Sequence, residues 1–454
     1  MKLSMPTKPK APPVHKWENG FELHGLPELP ERGVVGLLGG AGKTTALLIL
    51  AGKLDPSCGW YALRQRYDVR TAGAHYRILS DALRSLEAQE LRTSYKPQAV
   101  ERLHHLPDFR RNLVDLNIDL DVAQALKLGG YETWDAEKLN TNALQRVSIA
   151  AALSKDAELY LLDCPSEHLD IEQRAKVANM IREKGKREII VVSDNDITFL
   201  RWACTDIAIF YGDGRWGAPS QLYPAKEAIS AFVSGMLPDG MRIRPKSKPG
   251  ESPRQREKRM AAPRELMIQL AGVQKQFNGN VLQVDGEILR NERIGILGAD
   301  CSGKSTLLKI LAGKEECSGI IKGKPSVSFK PQHLSQRAVL KGISKELLQA
   351  LGVSLRGRPR LTLSLRQRIA IARCLGADAD LYILDQPSEG LTAEERLVVA
   401  ELLRSKRSVI VADHDAWLVA RVADRCGLVV RTDGRSHVDW MDAKAAINRI
   451  IMQD

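Results

Sequence analysis

The most informative apolar pattern in this chain brackets a glycine-rich stretch. Ile294-Gly-Ile-Leu297 is a short continuous apolar run, Gly298 to Ser305 is polar and glycine-rich, and Leu307-Leu-Lys-Ile-Leu311 resumes with helical spacing. The succession predicts strand, tight loop and helix. Two other stretches read differently. From Tyr76 to Leu91, the residues Ile78, Leu79, Ala82, Leu83 and Leu86 share one helical face, while Arg77, Arg84 and Arg92 line others. This predicts a partly basic amphipathic helix, either a partner-binding element or a solvated surface helix. From Met241 to Arg264 almost nothing apolar is present, and nine Lys and Arg stand against only Glu251 and Glu257. Pro245, Pro249, Pro253 and Pro263 interrupt it, so it reads as a linker or hinge. Its cations either track a phosphate backbone or keep a spacer solvated.

The pattern occurs twice. Gly42-Lys-Thr-Thr-Ala-Leu-Leu-Ile-Leu-Ala-Gly-Lys53 returns as Gly303-Lys-Ser-Thr-Leu-Leu-Lys-Ile-Leu-Ala-Gly-Lys314, and Ser94-Tyr-Lys-Pro-Gln98 returns as Ser328-Phe-Lys-Pro-Gln332. Leu159-Tyr-Leu-Leu-Asp-Cys-Pro-Ser-Glu167 returns as Leu381-Tyr-Ile-Leu-Asp-Gln-Pro-Ser-Glu389. Three matches in the same order predict two copies of one α/β unit. Lys43 to Gln98 spans 55 positions and Lys304 to Gln332 spans 28, so the first copy carries about 27 extra residues there, including the Tyr76–Leu91 pattern. The expected domains are a tail at 1–15, a first unit at 16–240, a basic hinge at 241–263 and a second unit at 264–454.

Composition narrows the class. At 454 residues, with 44% hydrophobic and 27% charged, the chain has material for two or three cores. It contains no apolar run of 18 or more residues and no signal-type start, so a cytoplasmic protein with no membrane partner is expected. A net charge of +12 favours an anionic partner, nucleic acid first. Seven scattered cysteines with no C-x-x-C pair predict reduced thiols and no iron–sulfur cluster.

The chemistry follows from Gly298 to Ser305, which reads G-x-x-x-x-G-K-S between a predicted strand and helix. Glycines allow a tight backbone whose N–H groups converge on an anion at a helix N-terminus. In that motif Lys304 reaches the β/γ-phosphates and Ser305 holds Mg²⁺, with Thr306 beside it, so a nucleoside triphosphate site is predicted.

Together these residues resemble the twin-cassette ATPases of the ABC superfamily, specifically the E subfamily, the ribosome-recycling or RNase L inhibitor family. The specific likeness lies in Val14-His-Lys-Trp-Glu-Asn-Gly-Phe-Glu-Leu-His-Gly-Leu-Pro27, in Lys-Pro-Gln at both Q-loops, and in Ala231-Phe-Val-Ser-Gly-Met-Leu-Pro-Asp-Gly-Met-Arg-Ile-Arg244. The family's cysteine-rich amino-terminal domain has no counterpart in these residues. The resemblance implies two tandem P-loop ABC nucleotide-binding domains arranged head to tail, pairing within one monomer around ATP and Mg²⁺. Each site would take its signature loop from the opposite cassette. It further implies the ribosomal small subunit or its rRNA as partner, with a translation factor as a second.

For the second cassette the resemblance assigns Gly298, Gly303, Lys304, Ser305 and Thr306 to the phosphate loop, Gln332 to the Q-loop and Phe277 to adenine. Ser305, Gln332 and Asp385 would hold the metal, and His414 is the switch histidine. Gln386 stands where the family has the glutamate that polarises water. For the first cassette it assigns Lys43, Thr44 and Gln98 to nucleotide, Thr44 and Asp163 to metal, and Cys164 to the glutamate position. Gly36 to Thr45 matches the family's loop only with two residues deleted, and counting back from Gly42 puts Leu37 where the first loop glycine belongs. Asn195 or Asp194 replaces the switch histidine. The signature glycines are missing from Leu139-Asn-Thr-Asn-Ala143 and from Leu361-Thr-Leu-Ser-Leu365. Losses at several motifs describe a degenerate paralogue with weak or no hydrolysis, acting in recycling, subunit assembly or dormancy. The other readings are a working recycling ATPase, an ATPase subunit or F-subfamily-like factor, and a scaffold binding no nucleotide.

The audit yields a coupling prediction. Gln386→Glu alone is expected to restore little hydrolysis, because the Asn140-Thr-Asn142 loop still lacks its glycines. Gln386→Glu combined with Ser-Gly-Gly at 140–142 is expected to restore more than either change alone, as residues acting as a unit do. Steady-state phosphate release from the three variants measures this; full activity from Gln386→Glu alone contradicts it.

Overall fold

The computed structural model describes residues 8, 13–16, 20–54, 92–100, 116–130, 138–213, 215–244, 251–261, 265–334, 342–353 and 361–451. The chain divides into two compact units, Met1–Leu169 with Gln173–Lys246, and Asp170–Glu172 with Ser247–Asp454. The expected helix at Tyr76–Leu91 lies outside the described residues.

Each unit is built on a mixed sheet. Among the described residues the first sheet has eight strands, in the order His15–Lys16, Glu22–Leu23, Trp216–Pro224, Asp206–Gly212, Gly33–Gly39, Ile189–Ser193, Leu159–Asp163 and Thr93–Lys96. The second has nine, in the order Ser318–Lys322, Leu266–Phe277, Asn280–Leu289, Arg435–Asp442, Arg425–Thr432, Arg293–Gly298, Val409–Ala412, Leu381–Asp385 and Val327–Lys330. In both, the strand before the glycine-rich loop lies between two parallel neighbours. A central parallel strand is covered on both faces, which is why these strands are continuous apolar runs. Arg293–Gly298 is buried along its whole length.

The helices Lys43–Leu50 and Lys304–Leu311 pack their leucines and isoleucines into the sheets, forming clusters with Leu37 and Leu161 in one unit and with Ile296 and Ile383 in the other. A second cluster covers the far face of the second sheet, around Leu384, Val399, Leu403 and Val411. In such folds ligands bind at the loops that follow the carboxyl ends of the parallel strands.

The segment read as a hinge is partly structured. Pro253–Ala261 is a helix. It starts with proline in the first turn, where the missing N–H costs nothing. Ser252 and Gln255 exchange bonds there: the Gln255 N–H donates to the Ser252 hydroxyl at 3.3 Å, and the Ser252 N–H donates to the Gln255 side chain at 2.8 Å. This is a capping box, written in the sequence as Ser252-Pro-Arg-Gln255. Prolines therefore delimit this helix rather than abolish it.

The helix is also anchored. Arg259 donates to both carboxylate oxygens of Asp424 at 2.7 and 2.9 Å, to Glu251 at 2.9 Å and to the Asn291 carbonyl at 2.7 Å. Arg256 lies 3.4 Å from Asp424. Two of the cations in the basic stretch thus serve the fold of the second unit. Burial pulls Asp424 up, but the Arg259 hydrogen bonds and charge hold it below the usual carboxylate range. Breaking a buried pair strands its partner charge, at a cost of about 3–5 kcal/mol, whereas an exposed substitution stays within about 0.5 kcal/mol. Arg259→Ala is expected to destabilise the second unit by that larger amount and Arg254→Ala hardly at all. Denaturant unfolding measures both; equal midpoints would show that the ion pair holds nothing.

Candidate functional site

In the second cassette the predicted residues converge. The strand Arg293–Gly298 ends at Gly298 with φ 145°, and Gly303 enters the helix Lys304–Leu311 at φ 105°. A side chain at Gly303 would lie 2.9 Å from the Phe277 ring, so glycine is needed for that ring to close on the loop. The Lys304 ammonium donates to the carbonyls of Gly298 at 2.8 Å and Ala299 at 2.6 Å. Burial pulls its pKa down. The Ser305 hydroxyl reaches the Gln332 carbonyl oxygen at 3.5 Å, and the Gln332 amide donates to the Gln386 side chain at 2.9 Å. A cavity of about 960 Å³ is lined by Phe277, Lys304, Ser305, Thr306, Gln332, Asp385 and Gln386 among others. His414 stands beside it, its Nε2 3.1 Å from the carboxylate of Asp300, which does line the cavity.

Asp385 shows that the set suits a cation. One of its oxygens, Oδ1, is buried without a hydrogen-bond partner. Burial raises its pKa, against the Ser305 hydroxyl and the Lys330 and Lys304 charges. An orphaned buried carboxylate oxygen beside a hydroxyl and an amide oxygen is the donor set that Mg²⁺ takes. Ser305, Gln332 and Asp385 therefore fit the metal, and Lys304 with the loop amides fits a phosphate.

The first cassette repeats the frame with a shorter loop. Leu37 pairs with Ser193, next to Asp194, as Ile296 pairs with Ala412, next to Asp413. Two residues further, Gly39 stands in register with Gly298. The deletion therefore falls inside the loop, and Leu37 stays in the strand. Lys43 donates to the Gly39 carbonyl, to Gly40 at 3.4 Å and to the Asn195 side chain at 3.5 Å. Asp163 is buried and its pKa raised by that burial, with the Thr44 hydroxyl the main opposing influence. The Cys164 thiol is buried and pushed well up, so it is not a thiolate nucleophile. Gln98 donates to Glu167 at 3.4 Å. Phe21, unremarked in the sequence, packs near Gly42 as Phe277 does near Gly303.

The two glycine-poor loops are engaged locally. Asn140 caps the helix Thr141–Leu153 through a bond from the Ala143 N–H at 2.8 Å. Asn142 donates to the His168 carbonyl at 2.7 Å and to Gln173 at 2.8 Å. Thr362 caps Leu363–Gly376 through the Leu365 N–H at 3.2 Å.

Sequence reasoning missed the lysines of both Lys-Pro-Gln motifs. Lys330 donates to the carbonyls of Asp385 at 2.6 Å and Gln386 at 3.1 Å, and Lys96 to those of Asp163 at 2.9 Å and Cys164 at 3.3 Å. The signal was their recurrence at the same place in both copies.

A phosphate loop, a metal-type serine, glutamine and aspartate, and a histidine on a mixed sheet, with the same frame repeated once, define a tandem ABC-type nucleotide-binding protein. The ABC transporter family model matches residues 28–167 and 281–389. An ABC transporter ATP-binding protein of Methanocaldococcus jannaschii is 31% identical over 91% of this chain and 74% of its own length. ABC transporter E family member 1 of Arabidopsis thaliana is 30% identical over 90% and 74%. A solved structure of RNase-L Inhibitor covers 97% of this chain and 92% of its own, at TM-score 0.85 and 30% identity. The archaeal ribosome recycling factor aABCE1, solved with the ribosomal stalk protein aP1, gives 0.83 at 30% identity over the same shares. This chain belongs to the E family of the ABC superfamily. No described helix is long and apolar enough to cross a membrane.

Burial pulls Lys330 down to about 8, against the opposing charge of Asp385. Below that pH the folded and unfolded chains both carry the proton. Between about 8 and 10.5 only the unfolded chain does, so stability rises with pH across that window. At about 1.4 kcal/mol per unit the rise reaches roughly 3 kcal/mol. Lys330→Met is expected to lack it. Unfolding free energies of both proteins at the two ends of the window provide the test; parallel curves contradict the assignment.

Proposed function

We propose that this protein is a ribosome-associated, ATP-binding factor of translation whose second cassette binds ATP–Mg²⁺ and hydrolyses it very slowly. The observation that carries the reading is the second-cassette cluster, where Lys304, Ser305, Gln332 and Asp385 converge while the next residue is an amide, Gln386. Bound Mg²⁺ would supply charge neutralisation at the β- and γ-phosphates. Lys304 and the loop N–H groups hold the phosphates, Phe277 packs on the base, and His414 faces the γ-phosphate end. Gln386 orients water but accepts no proton, and loss of a general base costs about 10²–10⁴-fold. In the first cassette Lys43 already satisfies itself on its own loop and on Asn195, and Cys164 provides no base. Nucleotide therefore binds there weakly.

The ribosomal part rests on the E-family relatives, one of them an archaeal ribosome recycling factor seen with a stalk protein. The net charge of +12 suits an rRNA surface. Small subunit or rRNA is the partner we infer, in recycling, subunit assembly or dormancy, with ATP gating the association. A working recycling ATPase is the second reading, favoured by the preserved cluster around Lys304.

Titration with fluorescent ATP is expected to show one dominant site, lost in Lys304→Ala and little changed in Lys43→Ala. Co-sedimentation with small ribosomal subunits is expected to depend on ATP in the parent and not in Lys304→Ala. Equal loss of binding in both lysine variants sinks the assignment of sites, and sedimentation indifferent to ATP sinks the gating.

A further inference from the structure

The second unit carries another cavity, of about 450 Å³, away from the nucleotide. One wall is the helix Pro253–Ala261, which presents Gln255, Lys258 and Arg259 at helical spacing, on one face. Arg293, Arg404 and Arg407 also line it, from the start of the phosphate-loop strand and from the end of Ala393–Ser405. Among the described residues Glu251 is the only carboxylate lining it.

Two layers of charge are present. Arg259, Arg293 and Arg404 are largely buried, and Glu251, Asp424 and Glu401 answer them. Glu251 gives one oxygen to Arg293 at 2.6 Å and the other to Arg259 at 2.9 Å. A guanidinium carries five N–H donors. Hydrogen bonds occupy four on Arg259 and three on Arg293, leaving donors on both. Burial pulls Arg293 below its ordinary pKa, while Asp424 and Glu251 hold Arg259 above its own against burial. At the mouth, Lys258 and Arg407 are exposed, and no described residue pairs with either.

We propose that this cavity is a second anion site, which binds a compact polyphosphate of the inorganic or nucleoside di- to triphosphate class. Its volume falls within the range of about 300–1,000 Å³ that encloses small ligands. Guanidinium groups suit phosphate because their planar forks give charge-assisted, bidentate hydrogen bonds. The cations converge on one concavity, which fits adjacent phosphates of a single molecule. A strand of RNA would ask instead for a groove that tracks its backbone. The site also has a mechanical consequence. An anion bridging Lys258 and Arg407 ties the connecting helix to the cassette, and Arg293, the first residue of the strand that ends at Gly298, lies on its floor.

The test uses the full chain with Lys43→Ala and Lys304→Ala, so that neither phosphate loop contributes. Sodium tripolyphosphate is titrated at low salt by calorimetry, followed by thermal unfolding with and without it. Binding of one equivalent is expected, together with a raised unfolding midpoint. Adding Lys258→Ala and Arg407→Ala is expected to weaken binding at least tenfold and to abolish the midpoint shift. Neither residue has a partner among the described residues, so the midpoint without ligand stays where it was. Absence of binding in the parent, undiminished binding in the quadruple variant, or capture of a single-stranded RNA oligonucleotide in place of tripolyphosphate each overturns the proposal. The Lys258→Ala/Arg407→Ala pair in the otherwise native chain leaves ATP binding at Lys304 unchanged, which separates this site from the nucleotide site.

Discussion

In each cassette a buried lysine ammonium grips two successive main-chain carbonyls, and the rest of the site depends on that grip. Lys330 holds Asp385 and Gln386, and Lys96 holds Asp163 and Cys164. A buried ammonium must find acceptors, and these carbonyls belong to the last residue of each strand and the one after it. A second clamp adds to it: Gln367 donates to the Gln386 carbonyl at 2.6 Å, and Gln145 to that of Cys164 at 2.8 Å. Between the clamps Gln386 and Cys164 adopt left-handed conformations, φ 47° and 48°, which non-glycine residues rarely take. The strain is held by surrounding bonds and sets where the residue after the aspartate sits. Because the lysine precedes the Q-loop glutamine by two positions, the same bond sets the distance between the Q-loop and the aspartate.

The clamp is therefore the same in both cassettes although the residues it positions differ. The clamp requires only a lysine, a glutamine and the main chain, so it is indifferent to the side chain that follows the aspartate, Cys164 in one copy and Gln386 in the other. A similar lock recurs behind it, where Ser166 donates to Asp194 at 2.7 Å and Ser388 to Asp413 at 2.6 Å. Arg174 pairs with Asp196, and Arg396 with Asp415. These bonds are internal to each sheet end and indifferent to whether a phosphate is ever turned over.

Much of this was legible in the sequence, for physical reasons. Central parallel strands are buried on both faces, so Ile294–Leu297 and Leu381–Leu384 announce themselves as apolar runs. The glycine-rich break between run and helix leaves few alternatives to a phosphate loop. What escaped had no periodic signal. The helix Pro253–Ala261 is charged at five of its nine positions, and its capping box and the non-local Arg259–Asp424 pair are what reveal it. The place of the two-residue deletion could not be found by counting from Gly42, because counting cannot say which side of the gap keeps its register. Strand pairing could: Leu37 beside Ser193 fixes Gly39 as the loop's first glycine. The buried role of Lys330 and Lys96 was hidden because a lysine near a phosphate motif invites a functional reading, and these two instead face main chain.

The two cassettes differ in what competes with phosphate for the loop lysine. Lys304 rests on two carbonyls of its own loop, Gly298 and Ala299, and His414 is drawn to Asp300 rather than to the lysine. An incoming phosphate replaces neutral acceptors with charged ones, and charge-assisted bonds are roughly twice as strong. The longer loop then has room to turn its N–H groups inward. In the first cassette the shorter loop brings Lys43 onto Gly39 and Gly40 and within reach of Asn195, an acceptor supplied by the switch position itself. Phosphate binding there must break a contact that links loop and switch, and the loop that remains has fewer N–H groups to repay it. One deletion and one histidine-to-asparagine difference thus act on the same lysine, and in the same direction.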